Sequence, residues 1–559
     1  MKKEMKSNIK HIITRIILSI FSLTIISCRQ SSDHITDPGT ETGPASVKIN
    51  LQGSDYNDGG TSKTARINGI NSAAVQTEEI SFNNNNDYKL VATLTPESSS
   101  NPHGKAGITG TNPLPDGIRY NVAVFDNNGN YVTERTYFTG SESSFPAITG
   151  LNGGSTYTFV VYSIGTQTGL PAITFADPGN KTLATATVNN VSGDNDLMYF
   201  SKTMTLTGNN TNYLDVILQH KYSQITVSLD SSPTLWYSIV DSSVSGAVLS
   251  PHNTSATLQL SNGNVIGSGT TTRTLTFPAS TGTSKTITAS PVMINTPAIT
   301  NGVFTLGSIK LTSFGGAAAV SVIHQNITLN SLKITPGVKY NLNLSFVPND
   351  QYLTFRGYPA VKINGVIYMR HNLGANYASD PDVLSPNIVG NYYQWGRSAV
   401  VATVATGTGP ISGWDNTTIP PVTSWNTGTR IDPVKNTAND PCPSGWRVGS
   451  RNELGILTNI PYTSIGNPFT TSPSSAGLVF VSRFNPDVKI TFPQAGFRNG
   501  SNGSFNSSGL NGIEGIYWTS DSNWFGRYNT TGMVYLSFTS GSATTYNGST
   551  VRCVAEYPY

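Results

Sequence analysis

From residue 46 to residue 350 the chain repeatedly alternates apolar and polar positions with a period of two. In the first run, Val47, Ile49 and Leu51 alternate with two polar residues, and similar runs occupy residues 120–125, 157–161, 225–229 and 338–346. Such alternation is typical of β-strands that bury one face. These runs therefore predict strands along the whole of this part of the chain.

Short turn segments, not helices, separate these runs. Residues 125–129 read Phe-Asp-Asn-Asn-Gly between two strand runs, which predicts a hairpin. Long helical periodicity is absent up to residue 350. Short strands punctuated by Gly and Pro are typical of antiparallel β-sandwiches. We therefore expect a mainly β fold.

The composition changes after residue 350. Six of the seven tryptophans and two of the three cysteines lie beyond this point, which predicts a separate C-terminal domain over residues 352–559. Ser450 and Glu453 have the spacing of a capping box, in which each side chain bonds the other residue's backbone N–H. A short amphipathic helix over about residues 451–459 follows from this box and the apolar residues after it.

The net charge is +3, the pI is about 8.5 and 12% of residues are charged, against roughly 25% in a typical domain. Five cations precede an apolar run over residues 16–26, which is too short to span a bilayer and has the length of a signal-peptide core. Residues 1–27 carry a net charge of +4, so the remainder carries −1. The basic pI therefore belongs to this leader, and no nucleic-acid partner is expected.

Residues 25–28, Ile-Ile-Ser-Cys, resemble the lipobox of bacterial lipoproteins, whose signal is cut before a cysteine that receives lipid. The resemblance implies a signal peptide over residues 1–27, lipidation (palmitate) of Cys28 and an outer-membrane anchor. Residues 28–45 are rich in Ser, Asp, Thr, Gly and Pro, which indicates a flexible tether. The alternative is a short anchor helix in which Cys28 is incidental.

With Cys28 lipidated, Cys442 and Cys553 remain. Two cysteines in an oxidising exterior compartment predict one disulfide. Two separate buried thiols are the alternative.

Residues 46–347 resemble the fimbrillin family of surface fimbria proteins from the Bacteroides group. The resemblance rests on the phrases LNGGSTYTF (151–159), DLMYF (196–200), HKYSQI (220–225) and PGVKYNL (336–342). It implies two transthyretin-like β-sandwich domains, over residues 46–215 and 216–347, and other fimbrial subunits as partners. It also implies donor-strand exchange, in which a protease removes the first strand after an arginine and a neighbouring subunit supplies a strand in its place.

Within that scheme residues 47–51 form the removable strand, and Arg66 is the candidate for proteolytic processing. The physical basis is β-augmentation, in which an extended segment pairs with an open strand edge and its alternate side chains fill the vacated pockets. The alternative is that Arg66 is an ordinary exposed loop residue.

Residues 352–559 resemble the FISUMP type of domain, a bacterial relative of the α+β C-type-lectin-like fold. The resemblance rests on GNYYQWG (390–396), DPCPSGWRV (440–448), QAGFR (494–498), GIYWTS (515–520) and VRC (551–553). Gly449 departs from the pattern, which usually has proline there. The resemblance also implies that Cys442 and Cys553 are paired.

No catalytic motif is recognisable. The chain has no nucleophile elbow and no HExxH helix, and no two of its seven histidines have ligand spacing. His220 and His371 are therefore expected to be structural. The absence of catalytic motifs predicts no enzyme activity, and we expect no cofactor. We also predict no metal site, because residues 380–382, 414–416 and 425–427 do not reproduce the calcium-lectin set.

Tryptophans are the candidates for ligand binding, because exposed indole rings stack on sugars. Trp446 and Trp518 lie in framework motifs and are expected in the core. Trp414, Trp425 and Trp524 are the candidate ligand-binding residues, with burial in the core as the alternative for each.

Taken together, the sequence predicts a surface-exposed, lipid-anchored fimbrial subunit. The continuation from residue 346 into a disulfide-closed domain indicates a tip adhesin that accepts a strand but does not donate one, and whose C-terminal domain binds a glycan or protein ligand of the host or of a bacterial surface. The alternative is a monomeric surface glycan-binding lipoprotein of a polysaccharide-uptake system. An enzyme acting on surface glycans is a third possibility.

Overall fold

The computed structural model describes residues 42–57, 74–82, 85–97, 112–235, 237–296, 298–313, 321–430, 432–467, 472–506, 515–521, 525–528, 537–539 and 545–556. Over these residues the protein is mostly β, with one short α-helix. The mainly β expectation is thereby confirmed. The transthyretin-like and C-type-lectin-like assignments stay predictions.

The strands up to residue 348 are β1 (Pro44–Asp55), β2 (Gln76–Phe82), β3 (Asn85–Pro96), β4 (Arg119–Phe125), β5 (Tyr131–Phe138), β6 (Ile148–Asn152), β7 (Thr156–Ser163), β8 (Ile173–Thr174), β9 (Thr187–Ser192), β10 (Met198–Thr205), β11 (Thr211–His220), β12 (Ser223–Asp230), β13 (Tyr237–Val240), β14 (Val248–Gln259), β15 (Val265–Thr274), β16 (Thr283–Ser284), β17 (Thr286–Thr288), β18 (Val292–Ile294), β19 (Thr300–Ser313), β20 (Ser321–Ile334) and β21 (Lys339–Pro348).

The later strands are β22 (Gln351–Phe355), β23 (Tyr358–Ile363), β24 (Val366–Met369), β25 (Tyr392–Gln394), β26 (Val400–Ala402), β27 (Trp446–Val448), β28 (Tyr462–Gly466), β29 (Ala476–Val481), β30 (Lys489–Pro493), β31 (Phe497–Arg498), β32 (Phe505–Asn506), β33 (Gly515–Trp518), β34 (Phe525–Tyr528), β35 (Ser537–Thr539), β36 (Gly548–Ser549) and β37 (Cys553–Ala555). The helix α1 covers Arg451–Ile456, and 3₁₀ helices cover Glu142–Ser144, Leu183–Thr185, Ser232–Thr234, Asp241–Ser243, Pro386–Ile388 and Leu457–Asn459.

The first sheet has seven strands in the order β5-β4-β7-β10-β11-β1-β6. Its neighbours are antiparallel except for β1 and β11, which run parallel. Both faces are buried along β4, where Val122 packs in one core and Ala123 in another. The predicted hairpin is present, since β4 and β5 pair antiparallel. In its turn the Asp126 carboxylate accepts the N–H groups of Asn128 and Asn130 (both 2.8 Å).

Two further sheets enclose the largest core. One has the order β17-β12-β21-β3-β2 with β18 also on β12, and the other has the order β16-β13-β19-β14-β9-β8 with β15 on β14 and β20 on β19. Alternate residues of β12 and β21, among them Val227 and Leu344, point into the shared core. The parallel pairing of β12 with β21 repeats the parallel arrangement of β1 and β11.

Strand pairing crosses the boundary predicted between residues 215 and 216. The hairpin of β2 and β3 lies in the second sheet, where Leu94 of β3 stands opposite Leu342 of β21. Likewise β8 and β9 join the third sheet through β14. The apolar face of β3 completes the core between the second and third sheets, and β9 packs in a core that it shares with β4 and β7 of the first sheet.

After residue 350, the described residues form four small sheets and α1. One sheet has the order β22-β23-β24-β37-β27, so its first and last strands along the chain meet in one layer. The predicted capping box is confirmed: Ser450 Oγ accepts the Glu453 N–H, and Glu453 accepts the Ser450 N–H. The predicted helix over residues 451–459 is divided between α1 and the following 3₁₀ helix.

A polar cluster lies where β21 passes into β22. The Asp350 carboxylate accepts the Asn364 N–H and the Ser482 hydroxyl, both at 2.7 Å, and burial raises the pKa of Asp350. Nearby, Lys362 of β23 forms an ion pair with Asp87 of β3. These contacts fasten the C-terminal part to the second sheet.

Candidate functional site

The first strand, β1, lies between two partners in the first sheet. Residues 46–51 pair in register with residues 211–216 of β11, and on the other edge residues 44–47 pair with residues 148–152 of β6. Ala45, Val47 and Ile49 point into the core and are buried. Without β1, two strand edges would lose their backbone partners and three apolar pockets would open, which is the geometry that β-augmentation requires.

Beyond residue 51 the strand continues through a bulge. The register with β11 shifts between Leu51 and Gly53, and Gly53 has a φ of 131°, a value that favours glycine. Asp55 then stands opposite Gln219. The next residue, Tyr56, lies flat on the ring of His220, with ring centroids 3.6 Å apart and planes 1° apart.

His220 is held from a second side. Its Nδ1 lies 2.6 Å from Asp196 Oδ1, and its side chain is 5% exposed. Burial raises the pKa of Tyr56, with the charges of Asp196 and Glu97 acting in the same direction. His220 is therefore held from one side by Asp196, and the face of its ring is covered by the segment that follows β1.

Asn57 ties the end of this segment to the second sheet. Its N–H donates to the Gly337 carbonyl at 2.7 Å, and its side chain donates to the Pro336 carbonyl at 3.3 Å. Tyr56 and Asn57 were not recognised from the sequence, because the bulge at Gly53 interrupts the alternation that marked residues 47–51. The sequence signal that remains there is a single aromatic residue, Tyr56, three positions after Gly53.

A cleft of about 470 Å³ borders β1. It is lined by Lys48, Ile49, Asn50, Tyr137, Glu142, Ser143, Phe145, Pro146 and Tyr213. Tyr213 of β11 is 63% exposed, which is unusual for an aromatic side chain. The outward-facing side chains of β1 therefore contribute to a surface depression as well as to the sheet.

The C-terminal part is closed by a disulfide between Cys442 and Cys553, with 6.0 Å between the Cα atoms. The predicted pairing is thereby confirmed. The bond joins strand β37 to the end of the long loop, which we define as residues 403–445. Lys435 of this loop donates to the carbonyls of Cys442 (2.6 Å), Pro443 (2.9 Å) and Trp446 (2.5 Å).

The arginines of three sequence motifs are buried and bind other parts of the framework. Arg447 forms an ion pair with Glu453, Arg498 donates to the carbonyls of residues 406 and 407, and Arg552 donates to four acceptors, one of them the Thr491 carbonyl at 2.8 Å. Arg498 also lies between the rings of Tyr392 and Phe505. The arginines of these motifs therefore bind and hold the fold.

Trp425, a candidate ligand-binding residue, is 1% exposed. Its Nε1 donates to the Asn439 carbonyl at 3.0 Å, and its ring packs against Trp395. As a correction to the candidate set, Trp425 belongs to the core, where a large aromatic ring lies when a hydrogen-bond acceptor is available to its N–H. Trp446 and Trp518 are fully buried, as expected.

Trp414, by contrast, is half-buried. Its Nε1 donates to the Gly500 carbonyl at 3.1 Å, and its ring lies so close to Gly503 that a Cβ atom there would be 2.3 Å from Trp414 Cε3. Next to it, backbone N–H donors and Arg397 hold the pKa of Asp415 well below its usual range. Trp414 is thus a rigidly held aromatic side chain beside a permanent carboxylate.

The long loop also exposes several aliphatic side chains. Within the described residues of this loop and the strand before it, these are Val400, Val404, Ile419, Val422 and Val434. Buried anchors such as Trp425 and Asn426 hold the loop without regular secondary structure. Binding residues are disproportionately found on loops that a rigid scaffold positions.

Cys28, Arg66 and Trp524 lie outside the described residues, so lipidation, processing and this third tryptophan stay predictions. Among the described residues, no group of three or more His, Cys, Asp or Glu side chains could hold a metal ion. Asp382, which ends the acidic segment 380–382, is bound by Arg370 and Thr491, both at 2.6 Å. No helix in the described part is long and apolar enough to cross a membrane.

No family model matches the chain, and no curated protein sequence matches it. Among solved structures, it is similar to the fimbrial anchor protein Mfa2 from Porphyromonas gingivalis (11% identity, 56% of this chain and 98% of that one, TM-score 0.26). It is also similar to a proposed cell adhesion protein from Parabacteroides distasonis (12%, 46% and 90%, TM-score 0.28) and to proposed polysaccharide-binding proteins from Bacteroides thetaiotaomicron (11%, 45% and 89%, TM-score 0.26).

Proposed function

We propose that this protein is a cell-surface fimbrial subunit in which β1 is removed and a strand of another subunit takes its place. The observation that carries the proposal is the interior position of β1 between β11 and β6, with three buried side chains. The next strand along the chain, β2, lies in a different sheet. A cut between them would leave β1 held by non-covalent contacts alone, so that another strand could replace it.

The same protein would accept a strand without donating one, which suits the tip of a fimbria. Strand β21 is paired on both edges, and β22 follows it almost directly. Strand β37 also has two neighbours and carries the disulfide. Because β22 follows β21 almost directly and the disulfide cross-links β37, neither strand is free to pair with another subunit, and this supports an acceptor-only role.

In this proposal the C-terminal part is the ligand-binding head, anchored to the fimbrial part through Lys362 and Asp87. The long loop and Trp414 form its candidate contact surface. The ligand is a glycan or protein of the host or of a bacterial surface. Before processing, the subunit is a lipoprotein bound to the outer membrane through Cys28.

The N-terminus of the mature surface protein tests strand removal. We expect a start at Ile67 after assembly and a lipid-modified Cys28 before it, both identified by mass spectrometry. In cells that carry Arg66→Ala the start at Ile67 should disappear, whereas Lys63→Ala, a cation in the same segment, should leave it unchanged. A mature protein that always starts at Cys28 would contradict the proposal. Immunogold labelling along fimbrial shafts would contradict the tip position.

A specific observation favours the alternative of a monomeric glycan-binding lipoprotein. The end of β1 is fixed to both sheets through Tyr56 and Asn57, which suits a strand that stays in place. Retention of Cys28 as the only N-terminus, together with glycan binding by the full chain, would identify this function.

A further inference from the structure

We infer that the strand which replaces β1 carries an aromatic residue at the position of Tyr56, because the His220 ring is fixed in an orientation that stacks on an aromatic side chain. The inference rests on the proposed strand exchange and specifies the chemistry of the partner strand. The partner is an extended segment of another fimbrial subunit. This protein recognises that segment by its aromatic residue as well as by its alternating apolar residues.

The first requirement comes from the alternating part of β1. Ala45, Val47 and Ile49 are buried, while the intervening side chains face outward. An incoming strand therefore needs apolar residues at three alternate positions, since a shift by one residue would turn the polar side chains into the core. Many strands meet this condition, so it gives affinity with little selectivity.

The bulge supplies the second requirement. One extra residue, Gln52, stands between Leu51 and Gly53, and this places Asp55 opposite Gln219 and Tyr56 beside His220. Without the extra residue each later side chain would move to the opposite face. The φ of 131° at Gly53 favours a glycine at this position of the partner strand as well.

The third requirement comes from His220 itself. Asp196 fixes the ring from one side, and the Tyr56 ring covers it at a centroid distance of 3.6 Å. Loss of Tyr56 would expose the face of a rigid, pre-oriented ring. A flat aromatic side chain restores this contact, whereas a small or branched one does not.

The contacts around Tyr56 indicate how far the partner strand must reach. Ser54 exchanges two backbone hydrogen bonds with Asn112, both at 2.9 Å, and the Asn57 N–H donates to the Gly337 carbonyl. A strand that ended at residue 51 would leave the backbone groups of Asn112 and Gly337 without these partners. The partner segment therefore spans the equivalent of residues 44–57.

The inference is tested with the full chain, in which a specific protease sequence replaces residues 60–65. After cleavage the protein is unfolded with its disulfide intact, the short fragment is removed, and the large fragment is refolded with fluorescent peptides of residues 44–57. We expect the unchanged peptide and Tyr56→Phe to bind with similar affinity. Tyr56→Ala should bind about tenfold more weakly or worse, which corresponds to about 1.4 kcal/mol.

Two controls separate stacking from folding. Lys48→Ala in the peptide changes an outward-facing side chain and should bind like the unchanged peptide. In a large fragment that carries His220→Ala, the difference in affinity between the unchanged peptide and the Tyr56→Ala peptide should shrink to less than about threefold, because the stacking partner is gone.

The outcomes distinguish strand exchange from the requirement for an aromatic residue. If no peptide binds the refolded fragment, strand exchange and this inference are both wrong. If the Tyr56→Ala peptide binds as well as the unchanged one, strand exchange stands and the aromatic requirement is wrong. A difference that persists in the His220→Ala fragment would also overturn the role of His220.

Discussion

Arg447 and Glu453 form a bidentate ion pair beneath the start of α1. Arg447 Nη1 lies 2.7 Å from Glu453 Oε2, and Nη2 lies 2.5 Å from Oε1. The same carboxylate accepts the Ser450 N–H at 2.8 Å. One side chain therefore closes the capping box and neutralises a buried guanidinium.

Glu453→Gln is expected to lower the free energy of unfolding by about 3 kcal/mol, because it removes the carboxylate that is hydrogen-bonded to the buried Arg447 guanidinium. Ser450→Ala, which removes only the cap, should lower it by about 1 kcal/mol. Urea unfolding of the full chain measures both. Equal losses in the two variants would contradict a separate contribution from the ion pair.

Reduction of the disulfide is expected to destabilise the C-terminal part. Cys442 and Cys553 are 111 residues apart, and closing so long a loop removes unfolded-state freedom worth about 4 to 5 kcal/mol in the chain-entropy model. Cys442→Ser and Cys553→Ser should lose similar amounts, since each removes the same cross-link. Unchanged unfolding midpoints after reduction would show that packing alone holds β37.

Asp440 predicts a pH dependence of stability. Burial raises the pKa of this carboxyl to about 6, although the N–H groups of Cys442 (2.8 Å) and Val448 (2.9 Å) and the charges of Lys435 and Arg447 favour its ionised form. The folded state therefore binds the proton more tightly than the unfolded state. The resulting stabilisation is complete below about pH 4 and is lost as the pH rises through about 6.

The expected loss over this range is about 3 kcal/mol, since one pKa unit corresponds to about 1.4 kcal/mol. Asp440→Asn cannot ionise and should lack this part of the pH dependence. Urea titrations at several pH values give the comparison. Parallel pH profiles for the two proteins would contradict the assignment to Asp440.

Trp414 and Trp425 are expected to respond differently to truncation. Trp425→Ala removes a core side chain and should lower stability by about 3 to 5 kcal/mol. Trp414→Ala should cost less stability and should reduce binding of the full chain to its ligand on glycan and matrix-protein arrays. Binding that survives Trp414→Ala at full strength would remove this residue from the contact surface.

Gly503→Ala tests the support of Trp414 without touching the indole. Gly503 has a φ of 74°, and an added Cβ would meet the Trp414 ring at 2.3 Å. The ring must therefore move, and ligand binding should fall as in Trp414→Ala. Gly357→Ala is a suitable control, because it has a similar φ of 84° but nothing within 4 Å of the added atom.

Local patterns in the sequence were sufficient for several features. Alternation located β1, β4, β7, β12 and β21, and the Ser450 box located α1, because both signals depend on near neighbours. The sheet that β3 joins could not be inferred, since its pairing with β21 depends on residues some 250 positions later. Likewise, the sequence could not show that Trp425 is buried, as its covering residue Trp395 comes from another loop.

The parallel pairing of β1 with β11 has a consequence for the order of events during synthesis. Asn50 and Asp215, which share a hydrogen bond of 2.6 Å, are 165 residues apart. Strand β1 emerges early, but its neighbour is made much later, and such distant pairings form slowly. In each new molecule β1 therefore cannot reach its place in the sheet before residues 211–220 have been made, so it lacks its parallel partner during much of synthesis.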